Sequence, residues 1–367
     1  MRLNDFRRVY SQQRVRSVSA ILPTFFGYYD ENDKYQGLMP AAVVFRETGP
    51  FLIEYAVAAA TPDGAVSGAV HVWQVAHEDM TRVFTEVELE VTADLTLSTK
   101  RPAPLFFLRH HAFNPMAFMR FAYTGQDGKP VEGELTYKRT VVVNGVPLGE
   151  HPFACLYRAS NALDQGLPCS DITGNAGFVL LDWDVKFGDP VIRPGCYAFC
   201  TGADDEPDGA YARDVALVPR EPVSVLPAGS QINYSAVQMV WGDNSSDATV
   251  MEQERRRWAL DPFAVVASIG EVESTAPPHV IAADGRVECE VSGGADWVPI
   301  RVSALDPGLP LHVRQFDAEG FHDLGPGALG EPWYNAWPMD DEEGKCGFTF
   351  LVKMPADGAP VKLAVWQ

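Results

Sequence analysis

Positive charge is scarce in this chain. Across 367 residues, 29 Lys and Arg stand against 49 Asp and Glu, a formal net charge of −20. A phosphate backbone or an anionic membrane surface is repelled by such a balance, so nucleic acid is not an expected partner. The basic residues that crowd the start, Arg2, Arg7, Arg8, Arg14 and Arg16, read as a solvated terminal segment. Long hydrophobic runs are missing too. None approaches the roughly 18 residues that span a bilayer, which excludes insertion by an apolar helix. The apolar piece "VSAILPTFFGYY" contains a proline and lacks a small-residue cleavage pattern, so no signal peptide is legible. The expectation is a soluble chain, cytoplasmic as given or exported if a leader has been removed.

Cysteine is thin: six residues, Cys155, Cys169, Cys196, Cys200, Cys289 and Cys346, none in a CxxC pair. Cys196 and Cys200 on one strand would lie about 13 Å apart, too far for a disulfide. Buried free thiols are the expectation, and the spacing gives no zinc site. His71 and His77 in "HVWQVAH" would sit about 20 Å apart along a strand, too far to share a metal ion. The acidic runs "ADDEPDGA" and "PMDDEEGK" lack calcium-loop spacing and read as solvated loops. Phosphate loop, dinucleotide fingerprint, nucleophile elbow and HExxH are all absent. No metal and no cofactor is expected.

What the sequence has in abundance is alternation. In "VELEVTADLTLST" the apolar Val87, Leu89, Val91, Leu95 and Leu97 alternate with charged or hydroxylated residues, the period of a strand with one wet face. "LDWDVKF" repeats the pattern, as do "INYSAVQMVW", "VECEV", "WVPIRVSAL" and "VKLAVW". Asn144 and Gly145 in "TVVVNGVPL" suit a two-residue hairpin turn. With 28 prolines and 31 glycines as punctuation, the fold class is all-β and mostly antiparallel, with few helices. The stretch "ATVMEQERRRWAL" is the exception. It predicts a helix of about three turns, capped by Ser245, Ser246 or Asp247 and stopped at "LDPF".

Small, polar, proline-rich "VESTAPP" (Val272 to Pro278) marks a domain boundary. Residues 1–270 suit a large antiparallel β-sandwich. Residues 271–367, with five or six short strands, suit a small sandwich of immunoglobulin or fibronectin type.

The strand entering "PLFFLRHHAFNP", the later "LPAGSQINYSAVQMVWGD" and the small β domain behind them resemble the galactose mutarotase-like supersandwich. That resemblance covers roughly residues 20 to 260. It implies a carbohydrate-active or carbohydrate-binding fold, with the ligand on the concave face of the large sheets. "HHAFNP" is similar to the mutarotase segment of the type "NHxYFNL", which carries only His111 over to the sugar pocket. The family's second histidine and later glutamate have no recognisable counterpart.

Strand geometry then sorts the residues themselves. Phe106, Leu108, His110 and Ala112 fall on one face, and Phe107, Arg109, His111 and Phe113 on the other. The first set reads as core. The second combines a guanidinium, an imidazole and rings, donors for hydroxyls and flat faces for C–H patches. His111 is the candidate catalytic acid or base, because an imidazole titrates near neutrality. Arg109, Asn114, Trp241 and Asp243 are the candidate ligand-binding residues. "WGDNSSD" reads either as a pocket rim with a ring and a carboxylate or as an Asx turn and helix cap. "PWYNAWP" reads as an aromatic platform or as packing between domains. Two functional readings stay open: a protein that binds or processes a glycan, and a non-catalytic structural or interaction module on the same scaffold.

Overall fold

A computed structural model of the chain describes residues 21–49, 51–75, 80–113, 120–135, 140–157, 175–200, 212–241, 248–260, 263–294, 297–317, 320–326, 333–339, 344–355 and 358–367. Among the described residues strands dominate, with one α-helix, Thr249–Arg255, running into a π-helical turn, Arg256–Leu260. The chain forms two compact units. One comprises residues 1–44, 55–72 and 78–255, and the other residues 45–54, 73–77 and 256–367.

The first unit is a sandwich. A five-stranded antiparallel sheet runs in the order Ile21–Thr24, Arg109–Phe113, Ala212–Pro219, Pro194–Cys200, Thr140–Pro147. A nine-stranded sheet, whose central strands are Asn175–Lys186, Gln231–Trp241 and Met80–Val91, supplies the other layer. Alternation puts Val87, Leu89 and Val91 in the core while Glu86, Glu88 and Glu90 stay exposed. The five-stranded sheet contributes Cys196, Ala198, Cys200, Val215 and Leu217 to the same core. Every second residue of its strands therefore faces away from the nine-stranded sheet.

The predicted helix is present and lies on the outer face of the nine-stranded sheet. Arg82 of the sheet holds Glu254 of the helix through two hydrogen bonds of 2.8 Å. A Cβ at Gly177 would come 2.9 Å from the Met251 sulfur, so glycine permits this close approach. The proposed caps, Ser245 to Asp247, and the Asp261–Pro262 stop lie outside the described residues.

The second unit contains two five-stranded sheets, one ordered Ala264–Ile269, Arg286–Ser292, Val361–Trp366, His312–Asp317, Gly320–Leu324. The other is ordered Glu271–Thr275, Pro278–Ile281, Trp297–Leu305, Cys346–Lys353, Tyr334–Pro338. Both contribute to one core that includes Val287, Leu363, Ile300 and Phe350.

Three local expectations change. "VESTAPP" is not a linker: Glu271–Thr275 and Pro278–Ile281 pair as a hairpin. The second unit accordingly starts before residue 271, because Ala264–Ile269 pairs with Arg286–Ser292. Asn144 and Gly145 sit inside the Thr140–Pro147 strand at a register shift, so Gly145, at φ 64°, serves a β-bulge instead of a hairpin turn. Both devices need the same left-handed conformation, and sequence alone does not separate them. Cys155, Cys196, Cys200, Cys289 and Cys346 are buried free thiols, and Cys169 lies outside the described residues.

Candidate functional site

The Arg109–Phe113 strand separates the two adjacent histidines. His110 is 3% exposed and points into the sandwich. Its Nε2 lies 3.0 Å from Gln238 Oε1, and its ring stands edge-on to Phe178 at 5.1 Å. The Gln238 amide donates onward to the Thr85 hydroxyl, and that hydroxyl donates to the Ala236 carbonyl. Since Gln238 Oε1 can only accept, Nε2 carries the proton of a neutral ring. Burial lowers the His110 pKa to about 4, against the opposite pull of Gln238.

Arg109 and His111 face outward and meet Asp214 of the neighbouring strand, to which His111 is paired in register. Arg109 Nη2 donates to Asp214 Oδ2 at 2.7 Å, and His111 Nδ1 contacts Asp214 Oδ1 directly. Arg109 Nη2 also lies 3.1 Å from His111 Nδ1. Burial alone would raise the Asp214 carboxyl, but Arg109 and His111 hold it down at about 2. It is therefore ionised and accepts from both neighbours. Nδ1 of His111 must then be the protonated nitrogen, and its short approach to Arg109 joins two donors, not a hydrogen bond. In the neutral ring this tautomer leaves the lone pair on Nε2, the atom suited to proton transfer.

Rings border this trio. The Arg109 guanidinium carbon lies 4.9 Å from the centre of the Phe106 ring, and Phe106 meets Tyr197 edge-on at 5.3 Å. Tyr29 stands 6.5 Å from Phe106 and 5.2 Å from Tyr35. The hairpin that carries Tyr29 and Tyr35 is shaped by Asp30, which accepts from the Asn32 and Lys34 amides and from Gln36. Arg101 ties the hairpin down, binding Asp33 through two hydrogen bonds of 2.9 and 3.0 Å and lying over Tyr29. A Cβ at Gly37 would come 2.8 Å from the Tyr35 ring, so glycine here leaves room for that ring. Tyr35 keeps 37% of its surface exposed. Burial raises the pKa of its hydroxyl, Arg109 acting the other way.

Simple alternation fails at one place. Phe106 lies on the Arg109 side, whereas Phe107 turns into the core against Trp183 at 4.8 Å. The strand bends at Phe107 and Leu108, where it leaves its pairing with the Gly27–Tyr29 strand and joins the five-stranded sheet. Asn114 and Asp243 lie outside the described residues, as do His77 and the acidic runs 203–210 and 340–343. Trp241 is 2% exposed on the Gln231–Trp241 strand. It shares strand parity with Met239 and not with the core-facing Tyr234 and Ala236, so it lies on the far face of the nine-stranded sheet. The structure does not bring it to Arg109 and His111. Trp333, Tyr334 and Trp337 pack within the second unit, Trp333 and Tyr334 beside its core and Trp337 against Arg301 and His279.

Asp214 went unnamed in the sequence because 103 residues separate it from His111. Its signal is visible in hindsight: a carboxylate in the middle of the apolar strand "ARDVALVP" requires a cationic partner if buried.

No protein-family profile matches the chain, and no curated protein matches it. Among solved structures it is similar to a GH36 alpha-galactosidase AgaA from Geobacillus stearothermophilus in complex with stachyose, at 11% identity over 70% of this chain and 38% of that one, TM-score 0.35. It is also similar to GH36 alpha-galactosidase AgaB from the same organism, at 12% identity over 70% and 34%, TM-score 0.35. A third is the galactosidase domain of the alpha-galactosidase-sucrose kinase AgaSK, at 9% identity over 58% and 29%, TM-score 0.32. The chain spans about a third of the length of these proteins. Likeness at this level carries no argument about ligand or activity, which rest on the residues above. No helix among the described residues is long and apolar enough to cross a membrane. No group of three or more His, Cys, Asp or Glu among them could hold a metal ion.

Proposed function

We propose that the first unit is a carbohydrate-associated domain that binds a glycan on the outer face of its five-stranded sheet. The observation that carries this reading is the Arg109–His111–Asp214 trio, bordered by Tyr29, Tyr35, Phe106 and Tyr197. A sugar ring offers hydroxyls for the guanidinium and imidazole and C–H faces for the Tyr29 and Tyr35 rings, while Phe106 and Tyr197 are buried beside them. The supersandwich resemblance of "HHAFNP" supports the same assignment of His111, and the second unit is read with it as an immunoglobulin-like domain.

The state of Asp214 argues against it as the general acid of a two-carboxylate hydrolysis. A carboxyl held at about 2 by a guanidinium has no proton to give a leaving group near neutral pH. Any proton transfer at this face falls to His111 Nε2, with Asp214 as the group that orients the ring. A glycan array probed with wild type, Arg109→Ala and His111→Ala tests the assignment. Loss of the bound glycan in both variants is expected. Equal binding in all three refutes the surface.

A further inference from the structure

The second unit carries a built groove of its own. Its sheet ordered Ala264–Ile269, Arg286–Ser292, Val361–Trp366, His312–Asp317, Gly320–Leu324 buries one face and leaves the other open. A groove of about 950 Å³ lies on that open face, within the range of ligand sites.

Register shows how the groove is made. Across the middle of the sheet Glu288, Ala364, Arg314 and Asp323 lie side by side, with the small Ala364 as the floor. One wall is Arg286 and Trp366, and His312, next in the row, backs the indole by stacking on it at 5.5 Å and 15°. The other wall is Glu290, Lys362 and Phe316, and Phe321 continues that row on the same face beyond the groove lining. Phe316 and Phe321 keep 40% and 61% of their surface exposed, an unusual outlay of aromatic area on a polar sheet face. Arg314 bridges the two rows, 4.8 Å from the Phe321 ring centre and 5.6 Å from that of Trp366.

Charge narrows the ligand. Each cation of this face has a carboxylate partner: Arg286 with Glu288, Arg314 with Asp323 and Lys362 with Glu290. Three positive and three negative groups cancel, on a chain whose overall charge is −20. Such a face gives neither an anionic nor a cationic polymer a net attraction. It offers donors and acceptors in alternation between ring faces, which suits a neutral polyhydroxylated chain. We infer that this groove is a second glycan-binding site, for an uncharged polysaccharide laid over Ala364 between the Trp366 and Phe316 walls. It stands on the second unit alone and does not depend on the Arg109 face.

The test is native affinity electrophoresis of the full chain in gels containing galactomannan, mixed-linkage β-glucan, xyloglucan or amylopectin. To separate the two sites, wild type and the Arg109→Ala/His111→Ala double variant are run together. At least one polymer is expected to retard both. Trp366→Ala and the floor-filling Ala364→Arg are each expected to weaken that retardation about tenfold. Both alter residues on the open face, and circular dichroism checks their folding. Absence of retardation of the double variant by every polymer overturns the site, as does retardation unchanged in Trp366→Ala and Ala364→Arg. A chain that sediments as a dimer and becomes monomeric in Phe316→Ser/Phe321→Ser assigns the face to self-association and overturns it as well.

Discussion

Each unit has a buried ion-pair cluster, and the two behave in opposite ways. In the first unit one carboxylate, Asp214, serves both Arg109 and His111 and is held at about 2. In the second unit two buried carboxylates, Glu47 and Glu54, share one half-buried guanidinium, and the exposed Arg46 lies 3.7 Å from Glu54. Arg301 lies 2.7 Å from Glu54 and 3.5 Å from Glu47. Burial raises the Glu47 carboxyl, against hydrogen bonds from Asn335 and Thr349 and the charge of Arg301. Both clusters have desolvated acids, yet their shifts differ in sign. The closeness of cations to each carboxyl sets the direction of its shift, and depth alone does not. The first arrangement keeps a fixed negative charge beside a partly exposed imidazole, a property useful at a ligand face. The second serves to hold strands together.

The sharpest way to break the contrast is Arg301→Met, which removes the guanidinium that Glu47 and Glu54 share. A loss of about 3–5 kcal/mol is expected, read as lowered thermal stability at neutral pH. Lowering the pH should restore part of it as the carboxyls take up protons.

His110 gives the next largest effect. Its pKa is about 4 folded against an ordinary 6.5, so the unfolded chain binds the extra proton between these values. Stability is complete above pH 6.5 and falls as pH drops towards 4, by about 3 kcal/mol. His110→Leu should flatten this part of the profile.

Asp214→Asn follows. The Asp214 carboxyl, about 2 folded against 3.8, contributes about 2 kcal/mol above pH 3.8, lost as pH falls through 2. The variant should lose that amount at neutral pH and show a shallower acid limb in urea titrations. Glu47→Gln should have the smallest effect, within about 1 kcal/mol at neutral pH, because the amide keeps a partner for Asn335 and removes a charge that burial disfavours. A large loss in this variant would contradict the destabilising effect assigned to the buried Glu47 charge.

Much of the architecture was legible because alternation is a local property. Val87, Leu89 and Val91 announce a strand and its buried face without reference to any partner, and the separation of His110 from His111 follows from the same period of two. The Phe106–Phe107 reversal was not legible, since a bend between two sheets leaves no mark in hydrophobic pattern. The Gly145 bulge is not separable from a hairpin turn in sequence for a related reason: left-handed backbone is demanded by turns and bulges alike.

The sequence by itself determined an all-β chain with a helix near residue 250, and which residues share a face within regular strands such as Met80–Val91. Those follow from side-chain periodicity and backbone preference within a few residues. Only the tertiary structure decided that His111 meets Asp214, that Trp241 stands on a different face from Arg109, and that Ala364 floors a groove between rings. Each depends on strand order and register, which are set by packing between segments as many as 100 residues apart.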